Sequence, residues 1–312
     1  MNTLLSLCVP LRPAPLAGLV LIGLLGVACH SAPAWDPVTM DPSPFDALHP
    51  PRLVESSFEV AGAEINGLVY EAQGPGPHPL VVLLHGFPGN ERNLDLAQGL
   101  RRAGWNVVFF HYRGSWGSEG QFSFSHVLED VAAVVEAASR QDFLARHRVD
   151  PGRVALVGHS MGGFAALVSG AELSRVDCVV SLAGANLGGL ARSVAANPAA
   201  AEQVAASLEG WSGPIRGPGG AALVAEVETS VGRFDTRSHA EALARKPLLL
   251  VAAGRDEVTP VALHHAPMVE ALEAAGGAEF EAVVIDQADH AFSGQRIELA
   301  DRVVRWLTSS CR

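Results

Sequence analysis

The chain has 312 residues, 48% hydrophobic and 18% charged, with a formal net charge of −11. That is ordinary globular composition, long enough for one large domain with a sizeable core. The acidic balance, the absence of a basic run and a single lysine, Lys246, argue against nucleic acid as a partner.

Residues 16–28 form an apolar run behind one positive residue, Arg12. The run is short for a bilayer span and lies at the N-terminus, so residues 1–28 read as a signal peptide. Two cleavage readings stay open. Gly26-Val27-Ala28-Cys29 resembles a bacterial lipobox, in which Cys29 becomes the lipidated first residue; it departs from that pattern at Gly26, where an aliphatic residue is usual. Ala32-Pro33-Ala34 offers an A-x-A site instead. Either reading takes the mature protein out of the cytoplasm, as a membrane lipoprotein or a periplasmic or secreted protein. Residues 29–51, rich in Pro, Asp and Ser, read as a tether. Cys178 and Cys311 remain for the fold. An oxidising compartment allows a disulfide between them, but two cysteines make no framework, and a buried Cys178 with a loose Cys311 is equally open.

Residues 53–60 and 65–72 are β-like runs around a turn at Gly62-Ala63-Glu64, which predicts an antiparallel hairpin. Residues 80–84 are a continuous apolar strand that runs into His85-Gly86-Phe87-Pro88-Gly89. A helix is expected over 93–103, a strand over 105–111, and a long helix capped by Ser125 that reaches about residue 138. A strand then ends in Gly158-His159-Ser160-Met161-Gly162-Gly163, followed at once by an Ala-rich helical segment. Another strand covers 177–182. Residues 186–243 interrupt the alternation with Ala-rich amphipathic pieces and Gly/Pro breaks, and read as a small helical insertion. Strands resume at 248–252 and 280–285, each followed by a helix, over about 260–275 and 295–307. Repeated strand–helix units predict a mostly parallel sheet of about eight strands with helices on both faces.

Strand, sharp turn and helix around Ser160 match the G-x-S-x-G nucleophile elbow. The turn must hold Ser160 in a sparsely populated backbone conformation, and glycines beside it let neighbouring backbone approach. Ser160, Asp256 and His290 all follow predicted strands, where loops of an open parallel sheet collect function, and they occur in the order Ser, Asp, His. From about residue 52 to the end the chain resembles the α/β-hydrolase superfamily. Tyr112-Arg113-Gly114-Ser115-Trp116-Gly117-Ser118 and Asp289-His290-Ala291-Phe292 look most like bacterial hydrolases of the prolyl-oligopeptidase and dienelactone-hydrolase groups, although the latter carry Cys at the elbow where this chain has Ser160. The resemblance implies Ser160 as nucleophile, His290 as general base and acid, and Asp256 as the group that orients the imidazole. Glu257, Asp286 and Asp289 are the rival acids. The N–H of Met161 and that of Phe87 are the expected oxyanion donors, since Pro88 has none to give.

His85 is expected to hold its loop by hydrogen bonds and His159 to pack or bond locally. His264 and His265 read as surface residues. His111, His126 and His239 show no ligand spacing, so no metal or organic cofactor is expected. Arg113 reads as a loop arginine paired with an acid such as Glu119, with substrate binding as the rival; Trp116 and Phe122 line a pocket or cover the core. The expected activity is hydrolysis of a carboxylic ester, or an amide, in a small-molecule substrate; a peptidase acting on short peptides is the runner-up. A non-catalytic binding protein on the same scaffold is the reading from another class.

Overall fold

The architecture follows from strands buried on both faces. In the computed structural model, which describes residues 35–312 except 212 and 278, eight strands form one sheet in the order β1-β2-β4-β3-β5-β6-β7-β8. The strands are β1 (Arg52–Val60), β2 (Ala63–Glu71), β3 (His78–Leu84), β4 (Asn106–Phe110), β5 (Val149–His159), β6 (Cys178–Leu182), β7 (Leu248–Ala253) and β8 (Phe280–Ile285). β1 and β2 are antiparallel, β2 is antiparallel to β4, and the six others run parallel. The N-terminal apolar run, both cleavage sites and Cys29 lie outside the described residues.

Side chains alternate across β3. Leu80, Val82 and Leu84 face one core with helices α2 (Phe124–Ala138), α4 (Met161–Glu172) and α11 (Ala266–Ala274). Val81 and Leu83 face the other, with α1 (Leu94–Arg102) and α12 (Arg296–Ser310). Between β6 and β7 the insertion supplies α5 (Leu187–Ala195), α6 (Pro198–Trp211), α7 (Gly220–Thr229) and three short turns of helix. It is tied to the body at several points. Glu226 on α7 accepts hydrogen bonds from the N–H groups of Phe124 and Ser125 at the start of α2, at 3.0 and 2.7 Å. Arg233 pairs with Glu172 at the end of α4, and within the insertion Asp235 binds Arg192, Arg237 and Asn186 together. Lys246 donates to three carbonyls, those of Gly170, Leu173 and Val176, at and just beyond the C-terminal end of α4.

Several expectations shift locally. The hairpin turn is Ala61-Gly62, one residue early, with φ of 49° and 77°. A two-residue turn with both φ positive matches the twist of the flanking strands. The cap of α2 is Ser123, not Ser125: its hydroxyl accepts from the His126 N–H at 3.0 Å. The single helix expected over 260–275 is α10 (Val261–His264) and then α11, with Pro267 in the first turn of the second piece. A seven-residue helix, α3 (Gln141–His147), was not anticipated. Part of the expected tether lies on the domain: Val38 is buried among the α1 and α12 side chains, and Arg102 donates to the Pro37 and Val38 carbonyls. Cys178 and Cys311 form a disulfide. Cys311 is buried rather than loose, because α12 lies across the sheet face and its last turn ends beside the start of β6.

Candidate active site

The site is built at the carboxyl ends of β3, β5, β7 and β8. β5 ends in a turn so tight that a Cβ on Gly158 would stand 1.9 Å from the Gly162 carbonyl oxygen. One on Gly162 would stand 2.2 Å from the Leu84 oxygen. Ser160 therefore sits at φ +59°, ψ −120°, at the N-terminus of α4. That strain lifts its hydroxyl out of the sheet. Ser160 N–H donates to Leu182 O, and Ala185 N–H donates to Ser160 O, which pins the turn to the β6 loop.

The structure brings Ser160, His290 and Asp256 into one hydrogen-bonded line. Ser160 Oγ donates to His290 Nε2 at 3.0 Å, and His290 Nδ1 donates to Asp256 Oδ2 at 2.7 Å. The Asp256 side chain is 1% exposed, and it is fully bonded. Its Oδ1 accepts the Val258 and Thr259 N–H groups at 2.8 Å each, and Thr259 Oγ1 donates to Oδ2 at 2.6 Å. Burial works to raise this carboxyl, but the bonds from His290 and Thr259 together outweigh it and hold it at about 2. Of the rival acids, Glu257, Asp286 and Asp289 are exposed, and Asp289 caps the turn at Ser293.

Two backbone N–H groups flank the serine. Met161 is the first residue of α4, and its N–H has no partner within the helix. Phe87 lies in the loop after β3, where Gly86 runs so close to Ser160 that a Cβ there would be 2.9 Å from the Ser160 Cβ. The loop is held from behind. His85 Nδ1 donates to Gly86 O at 2.7 Å, His111 Nδ1 donates to His85 Nε2 at 3.2 Å, and Trp116 Nε1 donates to Pro88 O at 2.7 Å. Burial, assisted by His111, takes His85 down to about 3, so the ring stays neutral and keeps this donor–acceptor pattern. His159 does more than bond locally. Its Nε2 donates to the His290 carbonyl at 2.7 Å, and the two rings pack at 4.8 Å. Burial, assisted by His290, holds His159 at about 4.

Other residues fall outside the chemistry. Arg113 is buried and pairs with Asp130 and Glu129, while Glu119 accepts the Glu64 N–H instead. Helix α2 places both acids under Arg113, 16 and 17 residues on. Trp116 is sandwiched between Arg92 and His111, and Phe122 is in the core. His264 and His265 are half-buried rather than surface residues, and His264 Nδ1 accepts the Asn186 N–H at 2.9 Å. Thr259 was missed in the sequence; the spacing Asp256-x-x-Thr259, a common side-chain-to-backbone turn, was the available signal. Trp211 was missed as well.

Two spaces meet at Ser160. An open cleft of about 1030 Å³ is lined by Asn90, Glu91, Arg255, Gln287, Asp289 and His290 among others. A more enclosed apolar cavity of about 400 Å³ lies between Met161 and the inserted helices. Ser160, Phe87, Trp211, Glu257 and Val258 line both.

Fold, elbow and loop positions are those of an α/β hydrolase. A sequence profile of the alpha/beta hydrolase family matches residues 81–304, and the chain belongs to that family. It is 35% identical over 115 residues to an uncharacterised 31.7 kDa protein of the traX–finO intergenic region of Escherichia coli, a match covering 35% of this chain and 38% of that protein. It is 30% identical over 151 residues to esterase EstD of Thermotoga maritima, covering 43% of this chain and 34% of the esterase. The alignments thus span little more than a third of either relative's length. Among solved structures, Est1E from Butyrivibrio proteoclasticus with ferulic acid bound superposes with a TM-score of 0.65 at 20% identity, over 82% of this chain and 98% of that one.

Proposed function

We propose that the chain is a serine hydrolase that cleaves a carboxylic ester through an acyl-enzyme. The observation that carries the reading is the continuous line Ser160 Oγ–His290–Asp256 at 3.0 and 2.7 Å, set on a strained elbow between two substrate-sized spaces. Ser160 attacks the carbonyl carbon while His290 Nε2 takes its proton. Asp256 holds the Nδ1–H tautomer and stabilises the imidazolium. The N–H groups of Phe87 and Met161 receive the oxyanion. His290 then protonates the leaving oxygen, and a water molecule repeats the sequence to free the acid. The EstD relative and the apolar cavity favour an ester over an amide.

A small fluorophosphonate should label the protein and fail to label Ser160→Ala. Asp256→Asn should lower kcat/KM by roughly 10³–10⁴-fold. A panel of p-nitrophenyl esters and aminoacyl anilides separates esterase from peptidase. A folded protein that neither labels nor turns over any ester would leave the binding-protein reading standing.

We also place the mature protein outside the cytoplasm, through a signal peptide over 1–28 and lipidation at Cys29. The Cys178–Cys311 disulfide supports an oxidising compartment. A Cys29→Ala protein that still partitions into membrane would remove the lipid anchor.

A further inference from the structure

We infer that the two spaces beside Ser160 divide the substrate: the acyl group enters the apolar cavity under the insertion, and the leaving group occupies the open cleft. The inference rests on the serine-hydrolase reading above and names its substrate class, esters of medium-length apolar acids with polar alcohols.

The assignment comes from proton transfer. In the tetrahedral intermediate the former carbonyl carbon bears four groups: Ser160 Oγ, the oxyanion, the leaving oxygen and the acyl carbon. The Oγ–C bond forms as the Oγ proton moves to His290 Nε2. The bond from carbon to the leaving oxygen breaks as that same proton moves on to the leaving oxygen. The leaving oxygen must therefore stand within reach of His290 Nε2. His290 lines the cleft and not the cavity. Met161, whose N–H faces the oxyanion, lines the cavity and not the cleft. With the leaving oxygen on the cleft side beside His290, the cavity, which also opens at Ser160 and Phe87, is the space left for the acyl chain.

The chemistry of the two walls agrees. Leu190 and Val194 from α5, Leu208 from α6, and Val224 and Val227 from α7 make the cavity apolar. At roughly 30 Å³ for each small group, its volume of about 400 Å³ holds on the order of ten carbons. The cleft is wider and edged by Asn90, Glu91, Arg255, Gln287 and Asp289, which suits a polar group open to water. Glu226, through the start of α2, and Arg233, through Glu172 of α4, fix the insertion to the body, so the apolar wall is built into the resting structure.

The test is a pair of isomers. Ethyl octanoate and octyl acetate contain the same atoms and the same ester, with the long chain on opposite sides. The wild-type protein should show kcat/KM for ethyl octanoate roughly thirtyfold or more above that for octyl acetate, since burying methylenes on one side alone separates them. Leu190→Trp and, independently, Val227→Phe, each checked for an unchanged thermal transition, should lower the octanoate-to-acetate ratio in kcat/KM of p-nitrophenyl esters by roughly tenfold or more. Equal rates for the isomers, or preference for octyl acetate, in a protein whose Ser160 reacts with a small fluorophosphonate, would overturn the division and leave the serine-hydrolase reading intact. Absence of both labelling and turnover would overturn that reading and the division with it.

Discussion

Thr259 is the residue whose removal tests the site most sharply, because it bonds the acid at 2.6 Å and lies 3.3 Å from His290 Nδ1 while Ser160, Asp256 and His290 themselves are kept. Asp256 is nearly solvent-free and accepts from two backbone N–H groups, from His290 and from Thr259 Oγ1. Its carboxyl falls from 3.8 to about 2 against the opposing effect of burial. At about 1.36 kcal/mol per pH unit, that is on the order of 2 kcal/mol of preference for the charged form. Thr259→Val removes one of the two side-chain donors and keeps the shape. We expect a loss of about 1–2 kcal/mol in urea unfolding at pH 7. Asp256 contributes stability above its unfolded value and loses it as pH falls towards about 2. In the variant that contribution should be smaller and its loss complete at a higher pH. With one carboxylate oxygen less restrained, His290 is held less firmly, and kcat should fall by roughly 10-fold. Thr259→Ser keeps the donor and should recover most of both losses. Wild-type stability together with kcat within twofold in Thr259→Val would refute the assignment of Thr259 as a positioning residue.

Acid should destabilise the fold through its buried histidines. His85 and His159, held at about 3 and about 4, stay neutral while the unfolded chain takes up protons below about 6.5. Stability is therefore present above pH 6.5 and lost as pH falls towards 4, by roughly 2–3 kcal/mol for each ring at pH 4.5. Urea midpoints at pH 7 and 4.5 measure it, and a His159→Gln protein with the same pH slope as wild type would contradict it. The Cys178–Cys311 bond closes a loop with a sequence separation of 133. Cys311→Ser should lower stability by about 2–5 kcal/mol; an unchanged melting temperature would show that the cross-link adds nothing to the packing of α12.

What the sequence made legible was whatever local chemistry forces. Gly158 and Gly162 advertise the elbow because no side chain fits against the Gly162 and Leu84 carbonyls. The strands from β3 to β7 are apolar runs because both faces are covered. Ser160, Asp256 and His290 were legible from their positions after strands, and the structure brings them within hydrogen-bonding distance. What stayed hidden depends on neighbours remote in the chain. The partner of Arg113 was misassigned because α2 brings Asp130 and Glu129 beneath it. His264 passed for a surface residue because the loop that covers it, at Asn186, lies 78 residues away. The disulfide could not be chosen over two free thiols because it depends on where α12 ends. Ser123 and Ser125 both fit a helix cap, and Glu226 settles the matter from α7 by taking the Ser125 N–H itself.

That last contact has a consequence for the insertion. An α-helix leaves its first N–H groups unpaired, and α2 satisfies two of its own with a carboxylate from the segment inserted more than a hundred residues later. The bond is charge-assisted and complements the positive end of the helix dipole. It joins the wall of the apolar cavity to the body at Phe124, which also lines that cavity. Glu226→Gln keeps one acceptor and loses the charge; Glu226→Ala loses both acceptors. Stability should fall in that order, by about 1 and about 2 kcal/mol. Amide exchange should speed up at the start of α2 and along α7, with the β5–α4 elbow unchanged. If the insertion were an independently hinged lid, exchange along α7 would already be fast in the wild-type protein and insensitive to Glu226. Slow exchange that accelerates only in the variants is the outcome expected of a wall pinned in part through Glu226.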